Sequence, residues 1–183
     1  MNYDYVPKRN LGRPITVVIL LTLGAVLSLA ASFFMEQYSY IPQTVGFLLL
    51  LPAIQLSARF LFTRYLYRLR TREDGVVDFE IFTYRGGDRM QLVSRVGLDE
   101  ITATAPLTSE NKRADKGMDR FSFHPDMGAS EGLVVSVRNC DGDCELLIAP
   151  DGHIAEVLAK AAASYKKPAE DAESVDGVQE TEE

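Results

Sequence analysis

The stretch RFLFTRYLYRLRTR, residues 59–72, carries five arginines and no acidic residue in a chain whose formal net charge is −7. Basic residues also precede the first apolar stretch, where residues 1–13 contain Lys8, Arg9 and Arg13. Residues 73–167 hold 17 acidic and 11 basic residues, a net charge of −6, and the tail 168–183 holds seven acidic residues and no base. The positive charge therefore flanks the apolar part of the chain, and the acidity belongs to the rest.

Two apolar stretches lie between these basic flanks, PITVVILLTLGAVLSLAASFFM (14–35) and TVGFLLLLPAIQLSARFLF (44–62). As helices with a rise of 1.5 Å per residue they are about 33 and 28 Å long, close to the ~30 Å hydrocarbon thickness of a bilayer. Neither stretch has the polar face of a core helix in a soluble domain. The sequence therefore predicts a transmembrane helical hairpin over residues 14–72, including a basic extension.

The basic flanks predict the orientation of this hairpin, because short loops rich in Lys and Arg stay in the cytoplasm. Both termini are expected to be cytoplasmic in a multi-pass protein of the plasma membrane, with residues 36–43 as an external turn. The helix is expected to continue about two turns beyond the bilayer, with its arginines at the membrane interface: Arg59, Arg64, Arg68, Arg70 and Arg72. The competing interpretation is a cleavable signal ending at SLA, 28–30.

Within the hairpin, Gly24, Ser28 and Ser32 form a stripe of small residues that allows close helix packing. This stripe serves either the hairpin itself or contact with another membrane helix. Pro52 removes a backbone donor in mid-span and predicts a kink. Gln55, one turn later, is interpreted as a hydrogen-bonding group between helices, with a transport role as the alternative.

Residues 73–167 predict a single α+β domain, followed by a disordered acidic tail, 168–183. Alternating residues over 76–84 and 89–96 predict a hairpin around RGGD, 85–88, and further strands are expected at 98–105, 121–124, 132–139 and 144–150. An apolar stripe then predicts a helix capped by Asp151 and ending at Lys167, with its buried face formed by Ile154, Val157, Leu158, Ala161, Ala162 and Tyr165.

This order of elements resembles membrane-anchored bacterial proteins with a pleckstrin-homology-like (PH-like) domain. The resemblance rests on the basic-flanked hairpin, on DFEIFTYRGGDRMQLV (78–93) and on LLIAPDGHIAEVLAKAAASY (146–165). It implies a bent antiparallel sheet, or half-open barrel, capped by the C-terminal helix. That fold has seven strands where the pattern gives six, so the missing strand is expected within 69–76 or 105–119.

The sequence contains no pattern typical of catalysis, and no cofactor or metal is expected. Cys140 and Cys144 flank a short turn and are interpreted as reduced structural residues, with redox or metal roles left open. His124 and His153 are the only imidazoles. The negative domain disfavours nucleic acid. A group of bases offers a contact with lipid headgroups: Lys112, Arg113, Lys116 and Arg120.

Three functions are consistent with these features. The leading hypothesis is a non-enzymatic membrane protein that presents the domain to a protein partner or to a second copy. The alternatives are a module that senses lipid headgroups and a small accessory subunit of a membrane transporter.

Overall fold

A computed structural model of the chain describes residues 2–34, 38–85, 89–111, 117–139 and 142–173. The chain begins with a short strand, passes through two long helices and then forms two sheets and a final helix. The helices are α1 (Gly12–Ala31), α2 (Tyr40–Leu56) and α3 (Gly152–Glu173). The strands are β1 (Asn2–Tyr5), β2 (Thr63–Thr71), β3 (Val77–Arg85), β4 (Met90–Gly97), β5 (Ile101–Pro106), β6 (Asp119–Ser122), β7 (Leu133–Asn139) and β8 (Gly142–Ile148).

The two long helices are apolar over most of their length. With a 3₁₀ turn at its end the first runs Gly12–Phe34, and with a π-helical turn the second runs Tyr40–Phe62. The most apolar 18-residue parts of the two helices have mean hydropathies of 2.5 and 1.8. Only 11% of the most apolar part of each helix is buried inside the protein. Both helices are therefore long and apolar enough to cross a membrane. Most of their surface is not covered by the rest of the protein, unlike that of a helix in the core of a soluble domain.

Small residues bring α1 and α2 together. Ala25 is fully buried between the helices, and a Cβ built on Gly46 would lie 2.7 Å from Cγ of Leu29. Since Ser28 contacts the start of α2 and Gly24 faces Leu49 further along it, the two helices are antiparallel.

The predicted helical extension through the arginine-rich stretch is wrong. The helix ends at the π-helical turn Ser57–Phe62, and the chain enters β2 at Thr63. Tyr65, Tyr67 and Leu69 are buried while the arginines lie on the opposite face. A four-residue spacing is also a multiple of the two-residue strand period, so the arginines share one face in either structure. The alternating aromatic and aliphatic residues between the arginines favour the strand.

The first sheet has the strand order β1-β2-β3-β4 and is antiparallel throughout. The predicted 76–84 and 89–96 hairpin is confirmed as β3 and β4, while residues 86–88 of its turn lie outside the described residues. β2 is the additional strand of the domain, and it begins upstream of the interval in which one was expected. β1 was not predicted at all, because residues 1–13 were interpreted only as a basic segment preceding the hairpin.

The second sheet has the order β5-β7-β8-β6, and the two sheets are not closed into a barrel. β6 pairs with β8 in parallel, from Asp119 opposite Cys144 to Ser122 opposite Leu147. The expectation of a wholly antiparallel sheet is therefore wrong at this edge. β6 and β7 run in opposite directions, and β8 lies between them in the sheet. The ten-residue connection from β6 to β7 therefore crosses β8.

The core lies between the sheets and α3, which packs against β5. Ile154 and Leu158 are fully buried and Ala162 nearly so, which confirms the predicted stripe at these positions, whereas Tyr165 is 40% exposed. The Asp151 carboxylate accepts a hydrogen bond from the Ile154 N–H at 2.9 Å, as expected for a helix cap. The helix continues beyond Lys167 to Glu173, and residues 174–183 lie outside the described residues.

Candidate binding cleft at the base of the helical hairpin

The N-terminal segment is bound to the domain at both of its ends. β1 pairs with β2, Tyr3 lying opposite Leu69. The Tyr3 hydroxyl donates a hydrogen bond to the Asp151 carboxylate, which raises the pKa of Tyr3, and the Tyr3 ring packs edge-on against His153 at a centroid distance of 4.7 Å. The segment before the first apolar helix therefore contacts the first turn of α3.

The connection between β6 and β7 is bound to the same segment. The backbone N–H of Asn10 donates to Oδ1 of Asp126 at 2.5 Å, and the backbone N–H of Asp126 donates to Nδ1 of His124 at 3.1 Å. Below them, the buried Tyr67 hydroxyl donates to the Phe123 carbonyl at 3.0 Å and accepts from the Ala149 N–H at 3.2 Å. These bonds hold the connection, the N-terminal segment and the start of α3 around one space.

That space is an open cleft of about 560 Å³. Its volume falls within the roughly 300–1,000 Å³ of typical small-molecule sites. The charged side chains that line it come from all three segments and have both signs: Lys8, Arg13, Asp126, Glu131 and Asp151. Buried His124 also lines the cleft.

The cleft lies where the apolar helices join the sheets. Arg13 is in the first turn of α1, and Arg9 donates to the carbonyl of Leu61 at 3.1 Å, near the end of the second apolar helix. The cleft therefore lies beside the start of the first apolar helix and the end of the second.

The outer face of the first sheet explains part of the positive charge of the 59–72 stretch. Four side chains in one row across β1, β2, β3 and β4 alternate in charge: Asp4, Arg68, Glu80 and Arg95. Arg68 lies 2.6 Å from Asp4 and Arg95 lies 2.7 Å from Glu80. The pair with Arg68 lowers the pKa of Asp4. We name this row the ionic ladder.

The five predicted membrane-interface arginines are thus not equivalent. Arg68 belongs to the ionic ladder, and Arg72 pairs with buried Asp78 at 2.7 Å. Arg59 lies over the Phe60 ring, 5.4 Å from its centroid. The other two, Arg64 and Arg70, are exposed and form no ion pair within the part of the chain that the structure describes.

Of the predicted lipid-contact group, only Arg120 lies within the residues that the structure describes. Arg120 pairs with Glu145 at 2.6 Å, and these side chains are only 10% and 5% exposed. Arg120 also donates to the Asn111 carbonyl at 2.6 Å. It is therefore engaged inside the domain. The other three members, Lys112, Arg113 and Lys116, lie outside the described residues.

The small-residue stripe of α1 faces α2. Ser28 donates to the Pro42 carbonyl at 2.8 Å, and a Cβ on Gly24 would lie 3.4 Å from Leu49. Ser32 is buried and donates to the Leu29 carbonyl at 2.6 Å. The stripe thus packs within the hairpin.

Two positions of α2 were singled out in the sequence, Pro52 as a cause of a kink and Gln55 as a polar group. Pro52 lies inside α2 without ending it. Gln55 is exposed on the outer surface of the helix and faces away from α1, so its predicted hydrogen bond to another helix stays a prediction.

The two cysteines are only partly described. Cys144 is half-buried in β8, and burial raises the pKa of its thiol. Cys140 lies outside the described residues. Among the ranges that the structure covers, no three His, Cys, Asp or Glu side chains converge to hold a metal ion.

The sequence-based reasoning missed the cleft. Lys8 and Arg13 were interpreted only as orientation signals, and no binding role was assigned to His124. A signal was present in HPDMGASEG, 124–132, a polar connection rich in small residues between two strands. Comparison with models of protein families, with curated proteins and with solved structures finds no match for this chain.

Proposed function

We propose that the chain is a two-pass membrane protein that holds a PH-like domain at the cytoplasmic face of the plasma membrane and presents it to protein partners, without catalytic activity. The observation that carries this proposal is the pairing of β1 with β2. It joins the segment before the first apolar helix to the segment after the second one. A hairpin with both ends in one sheet places both ends on the same side of a membrane.

The charge distribution supports the cytoplasmic orientation. Lys8, Arg9 and Arg13 precede the hairpin, and five arginines follow its last helical turns, while EQYSYIPQ between the helices has no base. Two of the five arginines pair with acidic residues, Arg68 with Asp4 and Arg72 with Asp78, which leaves six basic residues on the two flanks to favour this orientation.

The PH-like assignment is supported by the seven strands β2–β8 in two sheets and by α3 packed against them. The parallel β6 departs from an antiparallel arrangement. The assignment therefore concerns the architecture and carries no ligand or catalytic residue with it.

Orientation is tested by labelling in intact cells. In a chain with Cys140→Ser and Cys144→Ser, an impermeant maleimide should react with Tyr38→Cys in intact cells and with Ser164→Cys only after the membrane is opened. Both positions are exposed, so access to the side chain is matched. Labelling of Ser164→Cys from outside would overturn the proposed orientation.

The interaction role is tested by crosslinking in native membranes followed by mass spectrometry. We expect a specific protein partner or a homo-oligomer that is recovered at native expression level. A chain that remains monomeric and uncrosslinked under these conditions would contradict the role as an interaction module.

Gln55 favours a second candidate, an accessory subunit of a larger membrane protein. Its side chain is exposed on α2, and an amide facing lipid lacks the hydrogen bonds that a neighbouring helix supplies. Gln55→Leu should therefore reduce co-purification with the partner, whereas Gln43→Leu, exposed near the start of α2, should leave it unchanged. Equal co-purification of both variants removes this candidate.

A further inference from the structure

We propose that the cleft at the base of the hairpin binds a zwitterionic headgroup that carries a phosphate and a primary ammonium, as in phosphatidylethanolamine. The inference rests on the proposed membrane location, and it adds a ligand site to the proposed interaction role. It assigns lipid contact to residues of the cleft rather than to the 112–120 group.

Two cations of the cleft are available to a phosphate. Lys8 and Arg13 line the space and are exposed, and neither forms an ion pair or a side-chain hydrogen bond with the residues that the structure describes. Guanidinium and ammonium groups form the strongest hydrogen bonds to phosphate oxygens. The pair is therefore a binding element for one phosphate.

His124 adds a neutral donor. Its side chain is only 7% exposed and lines the cleft, and its Nδ1 accepts the Asp126 N–H. Because that nitrogen is the acceptor, neutral imidazole carries its proton on Nε2. No hydrogen bond to Nε2 is found among the described residues, so this N–H is left for a ligand.

The carboxylates of the cleft select against a purely anionic ligand. Asp126 already accepts the Asn10 N–H, and Asp151 already accepts from Tyr3 and from the Ile154 N–H. Glu131 is exposed and has no ion pair within the described part of the chain. A free carboxylate in the same cleft as two free cations complements a ligand with both signs of charge, and the carboxylate would repel a polyphosphate.

The position of the cleft at the ends of the apolar helices matches the position of a lipid headgroup at the membrane surface. Arg13 is in the first turn of the first apolar helix, and Arg9 bonds to the end of the second one. A headgroup in the adjacent leaflet reaches this level while its acyl chains remain beside the helices. A primary ammonium donates hydrogen bonds to Glu131, which the trimethylated ammonium of phosphatidylcholine does not.

The experiment uses the full chain in nanodiscs made from equal amounts of phosphatidylethanolamine and phosphatidylcholine, where both faces of the bilayer are accessible. The lipid retained by the protein is measured by native mass spectrometry. We expect phosphatidylethanolamine to be enriched. Lys8→Gln and Arg13→Gln should each reduce its retention roughly tenfold, the effect of one charged hydrogen bond. Arg70→Gln, exposed and outside the cleft, is the matched control and should change nothing.

Glu131→Gln is the second variant, because it leaves both cations in place. It should abolish the preference between the two lipids without reducing total lipid retention. An unchanged preference in Glu131→Gln, or equal losses in Arg13→Gln and Arg70→Gln, would overturn the proposal. Thermal unfolding of each variant separates loss of binding from loss of fold.

Soluble probes separate the lipid from free phosphate compounds. Phosphoethanolamine should displace the retained lipid, and inorganic phosphate at the same concentration should not. Equal displacement by both would overturn the zwitterionic assignment, and binding of phosphoethanolamine in detergent without lipid enrichment in nanodiscs would overturn the lipid source. A chain that is extracted from membranes by alkaline carbonate would instead contradict the proposed function.

Discussion

At the scale of the residue, arginine has several different roles in this chain. Arg68 extends the ionic ladder across the first sheet, and Arg72 pairs with buried Asp78. Arg120 is the most enclosed of the paired arginines that the structure describes. The exposed Arg64 and Arg70 remain available to an anionic membrane surface, where each base contributes about 1 kcal/mol. Positive charge in a sequence therefore does not by itself identify a lipid contact.

Replacing Arg120 should destabilise the domain strongly. Arg120→Met leaves the Glu145 carboxylate buried without its cation, which costs about 3–5 kcal/mol of unfolding free energy, and adding Glu145→Leu should recover most of this loss. Arg138→Met breaks the exposed pair with Asp143 and should destabilise the domain far less than Arg120→Met. Chemical denaturation of the full chain in detergent measures all three. Equal losses for Arg120→Met and Arg138→Met would show that the Glu145 pair is not buried.

Cys144 should react slowly with alkylating reagents. Burial, followed by the charges of Asp119, Asp143 and Glu100, raises the pKa of this thiol above its ordinary value of 9.0. The reactive species is the thiolate, so in a Cys140→Ser chain the alkylation rate should still be increasing above pH 9.0. The unfolded chain serves as the control and should level off at lower pH. A rate that levels off at the same pH in both states would contradict the raised pKa.

At the scale of the element, the spacing of the arginines around β2 fits both the period of a helix and the period of a strand. Arg64, Arg68 and Arg72 are four residues apart and share a face in a helix or in a strand. The pairing of the residues between the arginines favours the strand, because Tyr67 lies opposite Ile81 in β3 and opposite Tyr5 in β1. Helix α2 therefore ends at the boundary of the apolar region, where the chain can pair with strands on both sides.

The close contact of the hairpin helices should depend on Gly46. A Cβ at this position would lie 2.7 Å from Cγ of Leu29 and 3.2 Å from the Ala25 carbonyl oxygen, so Gly46→Ala should push the helices apart. Overpacking of this kind costs about 1–3 kcal/mol. Gly24→Ala is the matched control, since its Cβ would lie at an ordinary 3.4 Å from Leu49. Thermal unfolding in detergent should show a lower midpoint for Gly46→Ala than for Gly24→Ala; the reverse order would contradict the observed packing.

At the scale of the whole molecule, β1 makes the hairpin and the domain a continuous structure. The chain leaves the first sheet after Tyr5, passes through both apolar helices and returns at Thr63 to pair with the strand it left. Contacts from Tyr3 to Asp151 and from Asn10 to Asp126 then bind the same segment to the second half of the domain. The cleft exists only because these distant segments meet.

A disulfide between β1 and β2 tests this connection. In a chain without its native cysteines, Asp4→Cys with Arg68→Cys should crosslink under mild oxidation, because the two residues lie directly opposite in the register. Tyr3→Cys with Arg68→Cys is the control, since adjacent strand residues point to opposite faces. Non-reducing electrophoresis detects the closed loop. Equal crosslinking in both pairs would contradict the register of β1.

Several elements were predictable because their signals are local. The length and composition of the apolar stretches predicted α1 and α2, the alternation on either side of RGGD predicted β3 and β4, and the Ile154, Leu158 and Ala162 stripe predicted α3. Each of these patterns is complete within a few turns or one hairpin, so it can be recognised without knowing what the element packs against.

The cleft and the roles of the arginines could not be predicted in this way. Asp4 and Arg68 are 64 positions apart, Asn10 and Asp126 are 116 apart, and Arg120 and Glu145 are 25 apart. Local patterns were enough to predict two apolar helices with basic flanks and an α+β domain after them. Strand partners and ion pairs depend on how distant segments pack, so the folded chain alone shows that β1 forms one edge of the first sheet and that β6 lies at the edge beside β8. For the same reason, only the fold shows that one cleft is lined by Lys8, Arg13, His124 and Glu131.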